Sequence, residues 1–134
     1  IAPTENRSRI WFSDDADVDE MIRAEFADDL EKADQGHYDD WLLKPRGQLA
    51  MILLFDQFAR HMFRGTPRAF QYDNKALDIV LRGLEHDSDH ELSLIERVFY
   101  YFPLLHSEEL YHQEQSLRCY ALVDSLAFDE THVI

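Results

Sequence analysis

Cysteine is nearly absent from this sequence, and long apolar runs are missing. The 134 residues include one cysteine, Cys119, so the chain supports neither a disulfide framework nor a cysteine-based metal site. One thiol is compatible with a reducing compartment, and we expect a cytoplasmic protein. No apolar stretch approaches the roughly 18 residues that a membrane-spanning helix needs, and no signal peptide is visible.

Basic residues are also scarce. Lysine and arginine number 13 against 27 acidic residues, which gives a net charge of −14. Acidic residues crowd residues 14–40, where Arg23 and Lys32 are the basic residues. Such a surface repels phosphate backbones and anionic lipid headgroups, so we expect no nucleic-acid partner and no membrane partner. The simplest interpretation is an acidic protein kept in solution by its charge, and a basic partner stays open.

Glycine and proline number four each, and leucine outnumbers the β-branched residues that favour strands. Apolar residues recur at helical spacing along most of the chain, with Gly36 as a C-cap for the first helix. These features predict an all-α fold, a compact array of about five main antiparallel helices in one domain over residues 1–134. The helices are expected at about residues 18–33, 45–62, 73–84, 92–102 and 107–126, with a turn at 39–43.

The connections carry recognisable capping signals. Thr66 is expected to cap a short turn that starts at Pro67, and Asp73 to cap the next helix. The polar segment at residues 85–91 is expected to be a solvated loop. Pro103 marks the end of a helix or a kink.

The predicted helix at residues 49–63 is apolar on two faces, which indicates a central, buried helix. Asp56 and Arg60 lie one turn apart at the centre of one apolar face, so we expect both to be buried and paired. Only a narrow stripe with Gln57, His61 and Arg64 is expected to face solvent. A structural network is the favoured interpretation of the pair, and a ligand site is the alternative.

A second group of polar residues follows the aromatic run in RVFYYFPLLHSEELYHQE, residues 97–114. On the last helix, Gln113 and Glu114 share a face with Leu110 and Leu117. If this helix packs on the central one, its acids can meet Arg60. Helix capping with a satisfied core network is one interpretation, and a polar pocket is the other. The candidate pocket residues are Asp56, Gln57, Arg60, Arg64, Asp73, His106, Glu108, Gln113 and Glu114.

Two stretches carry a resemblance to a known family. FDQFARHMFRGTPRAFQYD and RVFYYFPLLHSEELYHQEQS are similar to the bacterial uncharacterised family that is number 924 among domains of unknown function. The resemblance covers roughly residues 11–128. It implies an all-helical, tetratricopeptide-repeat-like fold and no established reaction. The matching positions are Asp56, Gln57, Phe58, Arg60, Phe63, Arg64, Gly65, Thr66, Ala69, Phe70, Asp73, Tyr101, Pro103, His106, Ser107, Glu108, Gln113 and Glu114.

The chain departs from the family pattern in a few places. Ala59 replaces a proline and His61 an asparagine, and neither change touches Asp56 or Arg60. Similar proteins continue past Ile134 with a segment rich in His, Arg, Phe and Pro, and the chain starts with Ile1 rather than methionine. We therefore expect a domain truncated at both ends.

Other motifs give no cofactor and no metal site. Asp15, Asp17 and Asp19 imitate a calcium loop, but the required glycine and glutamate are absent, so a solvated helix start is expected. Glu109 and His112 have the spacing of a di-iron motif without its second copy. Cys119 is expected to be a small core residue, and Ser107 next to His106 is not a catalytic pair by adjacency. His86 and His90 fit a polar loop.

Two hypotheses about function remain. The first, which we favour from the sequence, is a helical-repeat-like module that binds a peptide or partner protein in a groove. The alternative is a small-molecule binding protein or hydrolase-type enzyme with a polar pocket around Asp56, Arg60, Arg64, His106 and Glu108. There, His106 or Glu108 would serve as acid or base and an arginine would hold an anionic group.

Overall fold

The computed structural model describes residues 16–133, with side chains described for residues 16–128, and within that range the chain forms helices and turns without strands. The all-α prediction is therefore confirmed, while the tetratricopeptide-repeat-like arrangement stays an expectation. The α-helices are α1 Ala16–Asp34, α2 Pro45–Leu53, α3 Ala59–Met62, α4 Asp73–Glu85, α5 Leu94–Tyr100, α6 Phe102–His106 and α7 Leu110–Val133. Three 3₁₀ turns lie at Asp39–Leu43, Pro67–Phe70 and Ser88–Glu91.

The central stretch is α2, a π-helical turn at Leu54–Phe58, and α3. Pro45 begins α2, where its missing N–H costs nothing because a first-turn N–H has no helical partner. The predicted helix at residues 45–62 therefore exists, but one turn of it is wider than an α-helix. This stretch is buried on both sides, as its two apolar faces predict. Its core residues are Leu49, Met51, Ile52, Leu54, Phe55, Ala59 and Met62.

The other helices surround this stretch. α1 packs on α3 and the π turn, whereas α4 and α5 pack on α2. α6 contacts α4, and α7 lies across α5 and α6. The site described below thus lies where the π turn, α4 and α6 come together.

Several predicted helix ends are as expected. Gly36 follows α1 with a φ of +86°, a backbone conformation that glycine adopts without strain. Pro67 begins its 3₁₀ turn and Pro103 lies in the first turn of α6, directly after α5. The expected Thr66 cap is wrong, because the Thr66 hydroxyl donates to the Phe63 carbonyl and makes no capping hydrogen bond. Asp14 and Asp15, expected at the helix start, lie outside the described residues.

Two expectations about connections are wrong. Asp73 does not cap α4, because Tyr72 occupies the cap position and the Asp73 side chain turns to Arg60 instead. The segment expected as a solvated loop folds into the 3₁₀ turn at Ser88–Glu91, with Ser88 and Asp89 buried. The Tyr101 hydroxyl donates a hydrogen bond to Asp89 at 2.5 Å, which gives that buried carboxylate a partner.

The last helix does not have the central stretch as its main packing partner, which was the condition for its acids to meet Arg60. α7 contacts α5 and α6 instead, and it buries Ser116 while Tyr120 packs against the core. Leu110 and Leu117, expected on its packed face, are 72% and 70% exposed. Within the described part of the chain, no helix is long and apolar enough to cross a lipid bilayer.

Candidate functional site

Asp56 occupies the π turn of the central stretch and is 1% exposed. Its predicted burial is therefore confirmed. π turns widen a helix locally and occur often at functional sites, because they re-aim the side chains they carry. Here the turn lies beside α4 and α6, and His106 at the end of α6 reaches the Asp56 carboxylate.

The Asp56 carboxylate is the centre of a hydrogen-bonded group. Arg60 Nε donates to Asp56 Oδ1 at 2.7 Å, which is the pairing that the i, i+4 spacing predicts. His106 Nδ1 donates to the same oxygen at 2.8 Å. Arg60 Nη2 also donates to both oxygens of Asp73, at 3.0 and 3.1 Å. We call Asp56, Arg60, Asp73 and His106 the Asp56 cluster.

Arg60 is the charge that links the two carboxylates of this cluster. Its side chain is half-buried, less deeply than the sequence predicts, and its guanidinium carbon lies 5.0 Å from the centre of the Phe70 ring. Burial raises the pKa of Asp73, and the nearby Asp56 charge adds to that rise, while Arg60 opposes it. The Asp73 charge is thus held in a place that favours it less than water does.

His106 is fixed by its own position in the fold. It ends α6, the short helix that begins after Pro103 interrupts the aromatic run. An ionised carboxylate can only accept hydrogen bonds, so Nδ1 of His106 carries the hydrogen that Asp56 accepts. The neutral ring then has an unprotonated Nε2 on the edge away from Asp56. The His106 side chain is 29% exposed, and the residue lines the cavity described next.

A cavity of about 610 Å³ opens beside this cluster. It is large enough for a small organic molecule. Its walls combine the cluster with an apolar side and an acidic rim. The lining residues are Asp56, Arg60, Phe70, Asp73, Asn74, Leu77, Pro103, His106, Ser107, Glu108 and Glu109.

The cavity includes five of the nine candidate residues and leaves out four. Gln57 is half-buried, and Glu114 is exposed on α7. Gln113 Nε2 donates to the carbonyl of Leu105 at 2.7 Å and to that of Ser107, so it ties α7 to the end of α6. Arg64, the fourth, belongs to a separate group of charges.

That separate group corrects two expectations about solvent exposure. Asp19 and His61, expected at the surface, are both buried. His61 Nδ1 donates to Asp19 at 2.7 Å, and Arg64 donates through Nε at 2.6 Å and Nη2 at 3.0 Å. The Arg64 hydrogen bond is the main reason that the pKa of Asp19 lies below its ordinary value. We call Asp19, His61 and Arg64 the Asp19 cluster.

A helical wheel with the α-helical period gives the wrong side-chain directions for residues that follow the π turn. That turn holds more residues per revolution than an α-helix, so the residues after it are rotated from their expected directions. His61 therefore faces α1 rather than solvent. The burial of Asp19 could have been predicted from the sequence, because helical spacing places it on the same face of α1 as the buried Ile22 and Leu30.

Ser107 and Glu109 line the cavity but were not among the predicted pocket residues. The Ser107 hydroxyl lies 2.9 Å from His112 Nδ1, and it accepts a hydrogen bond from the Glu109 backbone N–H at 3.2 Å. This arrangement starts α7 and fixes the acidic rim. Ser107 thus contacts His112, a histidine five positions on, rather than its neighbour His106. The predicted start of the last helix at Ser107 is the sequence signal from which Ser107 and Glu109 could have been identified.

The described residues contain no group of three histidine, cysteine, aspartate or glutamate side chains arranged to hold a metal ion. Of the three aspartates that imitate a calcium loop, Asp15 lies outside the described residues and Asp19 is engaged by Arg64. Glu109 and His112 are 3.8 Å apart at their nearest polar atoms, and His112 contacts Ser107. Burial raises the pKa of the Cys119 thiol, which packs against the core.

Comparison with known proteins gives the family. The model for bacterial proteins of unknown function, DUF924, matches residues 2–132. The chain belongs to this family. It is also similar to a solved structure, the protein of unknown function ATU0120 from Agrobacterium tumefaciens, with 31% sequence identity and a TM-score of 0.77. That match covers 84% of this chain and 64% of the Agrobacterium protein, so the chain spans less than two thirds of its length. No curated protein matches the sequence.

Proposed function

We propose that this DUF924 chain binds a small molecule in the cavity and that His106 acts there as a general base, as in a hydrolase. The observation that carries the proposal is the hydrogen bond from His106 Nδ1 to the buried Asp56 at 2.8 Å. A buried carboxylate that holds one ring nitrogen fixes the tautomer and the direction of the other nitrogen. The geometry therefore favours the small-molecule alternative over the partner-binding hypothesis that we favoured from the sequence.

Each residue of the site has a separate role in this proposal. His106 Nε2 takes a proton from a bound water or from the ligand, and the ring becomes positively charged. Asp56 orients the ring and stabilises that charge. Arg60 holds Asp56 in place through Nε and is itself held by Asp73. Asp56 is a positioning residue, because it acts on the ligand through His106.

The tautomer of His106 tests this proposal without a known substrate. Long-range ¹H–¹⁵N NMR on labelled protein distinguishes the protonated from the unprotonated ring nitrogen. We expect His106 to carry its hydrogen on Nδ1 when the ring is neutral. The exposed His86 is the internal control, because an unconstrained imidazole favours the Nε2–H form. A dominant Nε2–H form of His106 contradicts the proposal, since no free base would then face the cavity.

Activity provides the second test once a turned-over compound is found. We would screen small esters and amides with the wild type and with His106→Gln, whose amide can still donate to Asp56. Loss of a general base lowers a rate by about 10²–10⁴-fold. A His106→Gln variant that keeps the wild-type rate on a cavity-bound substrate would exclude His106 as the base.

Binding of a helical partner is the second candidate function. It is supported by one apolar stripe along α7, where Leu110, Leu117, Ala121 and Phe128 fall on one exposed face of the helix. Exposed apolar surface of this kind often marks a protein interface. The simplest partner is a second copy of the chain. Sedimentation analysis of the wild type and Leu117→Asp tests it, and a wild type that stays monomeric at high concentration removes this support.

A further inference from the structure

The charges on the cavity walls bear on which ligands fit. Four carboxylates line the cavity, those of Asp56, Asp73, Glu108 and Glu109. Among the described lining residues, Arg60 is the one with a permanent positive charge. With His106 neutral, one positive charge against four negative charges leaves the walls at −3. The wider protein, at −14, adds to this negative potential.

Arg60 is already engaged by two carboxylates, which offset its positive charge. Its Nε donates to Asp56, its Nη2 donates to Asp73, and its guanidinium carbon lies 5.0 Å from the centre of the Phe70 ring. Arg64, the other arginine considered for an anionic group, is held by Asp19. Both arginines considered for an anionic group are thus already paired with carboxylates.

The rim carboxylates are the ones available to a ligand. Glu108 and Glu109 are exposed at the start of α7, where the backbone N–H of Glu109 donates to Ser107. Asp73 lies deeper, and its pKa is raised chiefly because burial disfavours its charge. A cation placed between the rim and Asp73 would relieve that cost, whereas an anion would increase it.

The remaining wall is apolar. Phe70, Leu77 and Pro103 line the cavity together with the charged residues, and Phe70 is 58% exposed. A ligand of fitting shape therefore combines a positive group with an apolar body. The acidic rim alone would be only a solvated surface. The cavity, the buried Asp56 and this apolar wall make it a binding place with a preferred sign of charge.

We infer that the cavity takes a small organic amine in its protonated form, with the ammonium at Asp73, Glu108 and Glu109 and an apolar group against Phe70. This inference rests on the proposed function, because it names the ligand class of the same cavity. It extends that proposal from a site with a base to a site with a defined charge preference.

Three probes of one shape test the inference: benzylamine, benzyl alcohol and benzoate, which are positive, neutral and negative at pH 7. Each is titrated into ¹⁵N-labelled full chain and followed by ¹H–¹⁵N NMR. We expect benzylamine to shift cavity residues and to bind about tenfold more tightly than benzyl alcohol, with benzoate weaker still. In Glu108→Gln/Glu109→Gln, benzylamine affinity should fall severalfold. Glu25→Gln, an exposed change on α1, is the matched control.

Other results overturn the inference. They are benzoate binding more tightly than benzylamine, equal binding of benzylamine and benzyl alcohol, or no probe shifting the cavity residues. The His106 tautomer is read in the same samples and separates the two failures. If His106 is the Nδ1–H tautomer but the probes bind in another order, the amine inference is rejected and the proposal of His106 as a general base is kept. An Nε2–H tautomer rejects the proposed function itself, and a benzylamine preference would then support only the charge of the cavity.

Discussion

The Asp19 cluster and the Asp56 cluster share a plan but differ in their surroundings. Each has a buried carboxylate that accepts hydrogen bonds from an arginine and from Nδ1 of a histidine. His61 is 3% exposed, whereas His106 is 29% exposed on the wall of a cavity. A buried carboxylate beside a histidine is therefore not by itself a sign of function. The exposure of the histidine side chain and its place on a cavity wall distinguish the two.

The clusters also differ in whether the folded protein favours the ionised form of their carboxyl groups. Hydrogen bonds from Arg64 and His61 lower the pKa of Asp19 despite its burial, so its ionised form stabilises the fold. Burial raises the pKa of Asp73 despite Arg60, so its ionised form does not. A group held against its preference is what a ligand site retains when function competes with stability.

The largest expected effect is that of Asp56→Asn. The change removes the charge from the most buried carboxylate among the described side chains and leaves Arg60 and His106 facing an amide. We expect the free energy of unfolding to fall by about 3–5 kcal/mol, as when one partner of a buried ion pair is lost. Urea denaturation measures it. Asp78→Asn, in an exposed pair with Arg82, is the control and should change stability by less than about 0.5 kcal/mol. An equal effect of the two changes would mean that Asp56 is poorly compensated.

Asp19→Asn should lower the free energy of unfolding by somewhat less than Asp56→Asn does. Arg64 is partly exposed and can regain water, whereas the buried His61 cannot. We expect a loss of about 2–3 kcal/mol, with Asp28→Asn in its exposed pair with Lys32 as the control. A loss below about 0.5 kcal/mol would show that this cluster does not join α1 to the central stretch.

The pH dependence of the same pair of proteins sharpens the contrast. Since the folded-state pKa of Asp19 is below its ordinary value of 3.8, its contribution is complete above that pH and is lost as the pH falls through the lowered pKa. The stability gap between the wild type and Asp19→Asn should therefore narrow on acidification. Denaturation at a series of pH values measures the gap, and one that is constant down to the lowest pH would contradict the assignment.

Asp73→Asn should have the smallest effect of the three. Because burial raises the pKa of Asp73, the loss of its charge offsets much of the loss of the Arg60 contact, and we expect a change within about 1 kcal/mol at neutral pH. For this group the sign of the pH effect is reversed. The wild type should gain stability relative to the variant as the pH falls through the raised pKa. A loss above about 2 kcal/mol would place Asp73 with the structural carboxylates.

Much of the architecture was predictable because it depends on local patterns. The scarcity of glycine and proline, the helical spacing of apolar residues and the prolines at helix starts all correspond to the helices that form. The burial of Asp56 and its pairing with Arg60 also follow from one helical wheel. Such features require only the geometry of a single helix.

The remaining features depend on contacts between distant parts of the chain. No local pattern shows that Asp19 meets His61, 42 positions later, or that Asp89 is closed in by Tyr101. The π turn is equally hidden, since its residues would fit an ordinary α-helix, and it displaced the predicted direction of His61. Likewise, the cavity exists only because α4 and α6 meet beside the π turn.

One pair of variants tests most directly whether the two clusters have different roles: His61→Gln and His106→Gln, compared by their free energies of unfolding. Glutamine can still donate one hydrogen bond in each place, but its flexible chain does not match the shape of the ring that is packed at the buried His61. We expect His61→Gln to cost about 2–3 kcal/mol and His106→Gln less than about 1 kcal/mol. Equal and large losses would contradict this account, because both histidines would then serve mainly to stabilise the fold. The stability data would no longer distinguish His106 as a functional residue of the cavity.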